Sequence, residues 1–213
     1  MKRPRFANDC FYHVYNRGVD KRKVFLNNKD YRRFFYSIKD FNDKNSSINL
    51  FRRVSVSGNT IDVGNRISHK IVDREPLVEI VSFCLMPNHF HFILRQIEDW
   101  GVSRFMQKMG IGYTNYFNQK YERNGVLFQG KFKAVLIDRD AYLNYLKQYV
   151  YLNPLDIIEP GWKEAGLKNW RKAKKFLESY RWTDCKDYNE YDEFLVSCKK
   201  KASFGDIKEY IID

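Results

Sequence analysis

The sequence has no stretch that approaches the roughly 20 consecutive apolar residues needed for a membrane-spanning helix. Its first residues, M-K-R-P-R-F-A-N-D-C, lack the apolar centre of a secretory signal peptide. The four cysteines form no C-x-x-C pair and have no zinc-site spacing, so we expect them to be free thiols. These absences together predict a cytoplasmic protein in a reducing compartment, with no membrane partner.

Acidic residues are also few relative to basic ones. Among 213 residues there are 38 Lys and Arg but only 26 Asp and Glu, which gives a net charge of +12. Aromatic residues make up 17% of the chain. A basic, aromatic-rich composition is typical of proteins that bind nucleic acid. The length fits one domain with appendages, and a hydrophobic content of 44% is sufficient for a core.

The stretch from Met86 to Arg95, M-P-N-H-F-H-F-I-L-R, has the alternation of a β-strand. Because side chains alternate between the faces of a strand, His89 and His91 share one face, while Phe90 and Phe92 share the other. Two imidazoles at this spacing can chelate one divalent cation. An isolated H-x-H pair is more often two histidines on the wet face of a half-buried strand, so the pair alone does not establish a metal site.

The hydrophobic pattern around this stretch predicts strands and helices. Phe11 to Asn16 predicts a first strand, in which His13 is interpreted as a packed residue. A helix is expected from Asn28 or Lys29 to about Phe41, because apolar residues recur there at helical spacing. Leu77 to Met86 predicts a buried strand that pairs with the histidine strand across the Pro87-Asn88 turn.

Three further segments of the chain are interpreted as an insertion, a long helix and a strand that carries lysines. Asn42 to Glu75 is interpreted as an inserted hairpin, and a helix is expected from Gly101 to about Arg123. Leu127 to Ile137 predicts a strand with Lys131 and Lys133 on the side away from the core. Lysines that alternate with aromatic residues suit a phosphate backbone, but they also suit any exposed sheet.

A further helix is predicted, with Asp138 or Asp140 as its cap and Pro154 at its end. This helix carries a tyrosine and an asparagine on one face. Tyr149 and Asn153 are four residues apart, which is about one helical turn. A tyrosine phenol can attack a phosphodiester, although its ordinary pKa of about 10 makes it a weak nucleophile at neutral pH. A metal ion acting on the phosphate would compensate for this weakness.

Two interpretations of this tyrosine helix are open on spacing alone. Asn153 could complete a three-ligand metal site with His89 and His91. Alternatively, the tyrosine belongs with Tyr142 and Tyr145 to an aromatic stripe that packs on the sheet, which spacing alone favours.

Four segments occur in order between about residue 10 and residue 160. They are F-Y-H-V-Y-N-R-G, M-P-N-H-F-H-F-I-L, L-F-Q-G-K-F-K-A-V-L-I-D and Y-V-Y-L-N-P. Together they resemble the IS200-like, single-tyrosine (Y1, HUH) transposase family, and most closely its REP-associated tyrosine transposase branch. The resemblance implies that His89, His91 and Asn153 bind a divalent metal ion, Mg²⁺ or Mn²⁺. It also implies that Tyr149 is the catalytic nucleophile.

The resemblance further implies an α+β fold of the HUH endonuclease type. This fold is a ferredoxin-like antiparallel sheet with helices on one face and the H-x-H strand at its centre. Residues 1–160 would form the catalytic domain, with the insertion at about 42–75. Residues 161–213 would form a basic accessory segment.

The implied activity is metal-dependent, sequence-specific cleavage and rejoining of single-stranded DNA through a 5′-phosphotyrosine intermediate. The partner would be single-stranded DNA with hairpins formed by REP-like palindromes, and the protein would act as a monomer or homodimer. Basic residues in three parts of the chain are expected to contact this DNA. They are Arg17, Lys131, Lys133, Arg171, Lys172, Lys174 and Lys175.

Two other function classes remain open. One is a non-catalytic protein that binds hairpin DNA and has a degenerate site. The other is a zinc-dependent hydrolase, which is disfavoured because H-F-H is not H-E-x-x-H and no glutamate adjoins the histidines.

Overall fold

A computed structural model of the chain describes residues 3–46 and 74–183. The hairpin predicted between Asn42 and Glu75 lies almost entirely outside these ranges, and so does the accessory segment after Thr183. Both remain predictions from the sequence.

Four antiparallel strands form one sheet. They are β1 (Phe11–Arg17), β2 (Val78–Met86), β3 (His89–Gln96) and β4 (Lys133–Ile137), in the spatial order β2-β3-β1-β4. The H-x-H strand β3 is therefore internal to the sheet, as the resemblance implied. The mixed α and β content and the antiparallel sheet confirm the predicted fold class.

Two long helices, α1 (Asn28–Phe41) and α2 (Gly101–Lys120), cover one face of the sheet. Asn27 caps the start of α1, and its side chain accepts hydrogen bonds from two backbone N–H groups in a capping box. Phe34 of α1 and Phe105 of α2 are fully buried against Phe92 of the sheet. Replacing a phenylalanine in such a position with alanine typically costs about 3–5 kcal/mol of folding free energy.

The predicted arrangement of helices on one face of the sheet holds for α1 and α2 but not for the tyrosine helix. Helix α3 (Asp140–Leu152) lies across the opposite face, where it contacts β2, β3 and β4. The reason is that this face carries apolar residues of its own. Ile93 is fully buried there, and Leu146 and Val150 of α3 cover it. The predicted side-chain cap is also absent, since Arg139 precedes the helix and makes no capping hydrogen bond.

Strand β4 is shorter than the predicted strand from Leu127 to Ile137. The extended conformation is broken at Gly130, whose φ of +69° is unfavourable for other residues, and the strand begins only at Lys133. Phe128 still forms one bridge with Gly18, which follows β1.

Three short helices follow α3: α4 (Leu155–Ile158), α5 (Trp162–Ala165) and α6 (Trp170–Ser179). Helices α5 and α6 are separated by a break that begins at Gly166, which has a φ of +75°. The chain then returns to the sheet, where the Tyr180 hydroxyl donates to the Leu85 carbonyl at 2.6 Å. No helix in the described ranges is long and apolar enough to cross a membrane.

Candidate active site

The two histidines of the H-x-H pair lie on the face of β3 that α3 covers. Their ring centroids are 5.0 Å apart, and the ring planes are nearly perpendicular. In the antiparallel pairing of β1 and β3, Arg17 lies opposite His89 and Tyr15 lies opposite His91. The Tyr15 ring stacks on His91 with a centroid distance of 5.8 Å. The predicted alternation is correct, because Phe90 and Phe92 pack in the core on the other face.

His13 of β1 joins this pair. Its Nε2 atom lies 2.9 Å from Nδ1 of His91, and both side chains are 7% exposed. The strand pattern predicts a packed His13, and this residue is indeed buried, but it also contacts a candidate metal ligand. Only the register between β1 and β3 could have indicated this contact.

Burial keeps all three imidazoles neutral at physiological pH. Loss of solvation lowers the pKa of His13 from 6.5 to about 4. Burial also lowers the pKa of His89 to about 4, and the positive charge of Arg17 acts in the same direction. The pKa of His91 lies well below its ordinary value, because its ring is buried and lies beside two other imidazoles. Neutral imidazoles have the lone pair that a metal ion requires.

Tyr149 reaches the histidines from α3. Its ring meets the ring of His91 edge-on at a centroid distance of 5.8 Å and that of His13 at 6.2 Å. Nζ of Lys163, in α5, lies 4.6 Å from the centroid of the Tyr149 ring. Tyr151 instead packs in a separate cluster around the α3–α4 junction. Tyr149 is thus the tyrosine on this helix that contacts the histidines.

The aromatic-stripe interpretation describes part of the same helix. Tyr142 and Tyr149 both pack against the cluster that contains Ile93 and Val150. Tyr145 is 48% exposed and stacks on Tyr142. Packing and contact with the histidines therefore coexist at Tyr149.

Asn153 is 1% exposed at the end of α3. Its side-chain nitrogen donates a hydrogen bond of 2.7 Å to the Tyr149 carbonyl, which leaves the amide oxygen as its potential ligand atom. Among the described residues, no three His, Cys, Asp or Glu side chains could hold a metal ion together. Two neutral imidazoles and an amide oxygen are nevertheless a donor set that fits a divalent cation such as Mn²⁺.

The residues predicted to contact DNA are distributed over three surfaces. Arg17 and Lys133 lie on the histidine face, where Lys133 pairs with Tyr15 in the β1–β4 register. Lys131 lines a cavity of about 680 Å³ on the opposite face, between α2 and the segment before β4. The other four are on exposed positions of α6, namely Arg171, Lys172, Lys174 and Lys175. Of the predicted residues within the sheet strands, Arg17 and Lys133 therefore lie on the same face as the histidines.

Besides His13, two further residues at this site were not assigned to it from the sequence. Lys163 was expected only as part of a basic segment, and its approach to Tyr149 depends on the turns around α5. Asn88 was interpreted as a turn residue, yet its Oδ1 lies 2.6 Å from Nδ1 of His89. The sequence signal for this contact was the position of Asn88 directly before the H-x-H pair.

Comparisons with known proteins agree with this description. A family model described as "Transposase IS200 like" matches residues 50–153, which include β2, β3, Tyr149 and Asn153. No curated protein matches the chain.

Solved structures also resemble the chain. One is a REP-associated tyrosine transposase bound to a REP hairpin, with a TM-score of 0.53 and 13% identity. That match covers 91% of this chain and 85% of the other, and at this identity it demonstrates the fold alone. A second is tRNA(His) guanylyltransferase from Saccharomyces cerevisiae, with 12% identity over 95% of this chain and 83% of the other. Its TM-score of 0.39 is too low to support any argument. Residues 50–153 thus match the IS200-like transposase family, and the chain has a fold similar to that of a solved REP-associated tyrosine transposase.

Proposed function

We propose that the protein is a metal-dependent endonuclease and strand transferase that acts on single-stranded DNA next to a hairpin. The observation that carries this proposal is the contact between the Tyr149 and His91 rings, whose centroids are 5.8 Å apart. A potential nucleophile and two potential metal ligands are thus close enough to act on one phosphodiester.

In the proposed first step, the Tyr149 hydroxyl oxygen attacks the scissile phosphorus. The bond from phosphorus to the 3′ oxygen breaks, the phenol loses its proton, and the departing oxygen gains one. The products are a 5′-phosphotyrosine on the protein and a free 3′-OH on the DNA. In the second step a 3′-OH attacks this phosphotyrosine and Tyr149 regains its proton. Because one ester replaces another, the reaction needs no ATP.

The metal site would consist of His89, His91 and Asn153. A bound Mg²⁺ or Mn²⁺ would polarise the scissile phosphate and offset its developing charge. The neutral state of the imidazoles supports this assignment, because an imidazolium cannot coordinate a cation.

The DNA would be held by basic residues around and beyond the active site. Arg17 and Lys133 border the histidine face and would contact the strand that enters it. Lys131 and the basic residues of α6 would contact phosphates of the hairpin. The similar solved structure holds a REP hairpin, which supports hairpins of REP-like palindromes as the substrate class. In this scheme residues 1–160 form the catalytic domain and 161–213 the basic accessory segment.

Formation of a covalent adduct tests the proposal. The protein would be incubated with a labelled library of single-stranded hairpins and Mn²⁺, and adducts that survive denaturation would be counted. The parent and the Tyr151→Phe control should form adducts, whereas Tyr149→Phe should form none and still bind DNA. Hairpin binding without an adduct under any divalent metal would instead identify a non-catalytic hairpin-binding protein.

A further inference from the structure

The histidines of the H-x-H pair each use one ring nitrogen for a hydrogen bond inside the protein. Nδ1 of His89 lies 2.6 Å from Oδ1 of Asn88, and Nδ1 of His91 lies 2.9 Å from Nε2 of His13. We propose that Asn88 and His13 are positioning residues that hold both imidazoles in the Nδ1–H tautomer, with the Nε2 lone pairs available to a divalent cation. This inference rests on the proposed metal-dependent reaction.

The orientation of Asn88 determines the tautomer of His89. The Asn88 side-chain nitrogen donates to the Lys21 carbonyl at 3.2 Å, and a carbonyl oxygen can only accept. The amide oxygen must therefore face His89. Because this oxygen also only accepts, Nδ1 of His89 must carry the proton. A neutral imidazole has one N–H, so the lone pair of His89 is on Nε2.

The hydrogen bond between His13 and His91 has two possible directions. If Nε2 of His13 donated, Nδ1 of a neutral His91 would have to accept, and the His91 proton would occupy Nε2. Coordination through Nε2 requires the opposite direction, with His91 as donor and His13 as acceptor. His13 is held in place for this role because β1 pairs with β3, and its ring lies nearly parallel to that of His91 at a centroid distance of 5.2 Å.

Such partners of ligand histidines normally matter for affinity. They fix the ring orientation and make the coordinating nitrogen more basic, and their loss typically lowers metal affinity by about 10- to 100-fold. Asn88 and His13 would do this from different elements, since Asn88 lies in the β2–β3 turn and His13 on β1.

Binding of Mn²⁺ to the DNA-free protein tests this inference apart from catalysis. Electron paramagnetic resonance would measure free Mn²⁺, and thermal unfolding would verify that each variant is folded. Asn88→Ala and His13→Phe should each bind Mn²⁺ about 10- to 100-fold more weakly than the parent. Asn88→Asp and His13→Gln retain an acceptor and should stay closer to the parent. Asn118→Ala is the control, because Asn118 bonds to Gly125 and Arg123 at the far end of α2.

Nitrogen-15 spectra of the histidine rings provide a second measurement on the metal-free protein. The expected result is an unprotonated Nε2 in His89 and His91. A major Nε2–H tautomer in either ring would overturn the inference. The inference would also be overturned if the parent binds Mn²⁺ and forms adducts, but the Asn88→Ala and His13→Phe variants bind Mn²⁺ with unchanged affinity. A parent that forms adducts in excess EDTA would instead refute the proposed metal dependence, and the ring spectra would still decide the tautomers.

Discussion

Nζ of Lys163 lies 4.6 Å from the centre of the Tyr149 ring, and the same atom pairs with Asp156 at 3.1 Å. A positive charge beside the proposed nucleophile can contact the phosphate that the nucleophile attacks. The charge of Lys163 also acts on His89 and His91, where it disfavours protonation. Lys163 therefore links the three proposed catalytic groups electrostatically.

Removing this charge should slow the covalent step. Lys163→Ala is expected to lower the rate of adduct formation at saturating DNA by roughly 100-fold, as for loss of one group that stabilises transition-state charge. Lys163→Arg should retain more of the rate, and Lys168→Ala in the same segment should retain all of it. Single-turnover kinetics would measure the effect. A Lys163→Ala variant with weaker DNA binding but an unchanged rate would assign this lysine to binding alone.

Loss of the proposed metal ligands should abolish cleavage. We expect no adduct from His89→Ala or His91→Ala, and none from the parent in excess EDTA. Asn153→Ala should have a smaller effect, because an amide oxygen is a weaker ligand than imidazole. Titration of Mn²⁺ against adduct yield would show this difference as a higher metal requirement. Full cleavage by the EDTA-treated parent is incompatible with the assignment.

The buried histidines should make stability depend on pH. The pKa of His13 falls from 6.5 to about 4 on folding, so between these values the unfolded chain binds a proton that the folded protein does not. Stability is therefore complete above pH 6.5 and decreases as the pH falls toward 4, by about 3 kcal/mol for this group.

The variant His13→Gln isolates this contribution because glutamine does not titrate. Urea unfolding at a series of pH values should give a shallower acid loss for the variant than for the parent. Carboxylates contribute equally to both proteins, so the difference belongs to His13. Parallel pH profiles would contradict the lowered pKa.

The proposed phosphate contacts can be tested at two lysines of the β4 region. Replacing Lys131 and Lys133 together with alanine should reduce the salt dependence of hairpin binding by roughly one to two phosphate contacts. Affinity for all hairpins should fall about equally, because phosphate contacts carry no sequence information. Each single variant should account for about one contact, even though the two lysines lie on opposite faces of the sheet.

A suitable control is Lys29→Ala, at an exposed position on the first turn of α1. Adduct formation by the Lys131 and Lys133 variants should be little changed at saturating DNA. An unchanged salt slope in the double variant would mean that both lysines face solvent in the complex.

Two glycines of α2 should respond oppositely to the same substitution. An added Cβ at Gly110 would meet no atom within 4 Å, so Gly110→Ala should stabilise the helix by about 1 kcal/mol. A Cβ at Gly112 would lie 2.3 Å from Cζ of Phe41, so Gly112→Ala should destabilise the protein by about 1–3 kcal/mol. Urea unfolding measures both, and a stabilised Gly112→Ala protein would show that α1 and α2 separate easily.

The spacing of apolar and polar residues along the chain predicted those features that depend on the geometry of a single strand or helix. The alternation of a strand assigned His89 and His91 to one face, and Phe90 and Phe92 to the other, and the structure agrees. The motifs also indicated the family and the class of fold. Helix α1 begins and ends where its apolar spacing predicted.

Contacts between distant segments could not be predicted in this way. His13 meets His91 only because β1 and β3 pair in one register, and local sequence does not determine that register. Helix α3 lies on the face opposite α1 and α2, where it buries Ile93. The apolar surface around Ile93 exists only in the assembled sheet, so local sequence does not indicate this position of the helix. Lys163 reaches Tyr149 after a left-handed turn at Gly161, which redirects the chain just before α5.

The return of the chain to β2 has a consequence for assembly. Strand β2 is the outermost strand on its side of the sheet, and the Leu85 N–H donates to the Trp182 carbonyl at 2.8 Å. At this end of β2, backbone groups that could otherwise pair with another molecule are thus occupied within the chain. Within the described ranges, the outermost strand on the other side is β4. If two copies joined their sheets along β4, the exposed Leu136 would lie beside the contact.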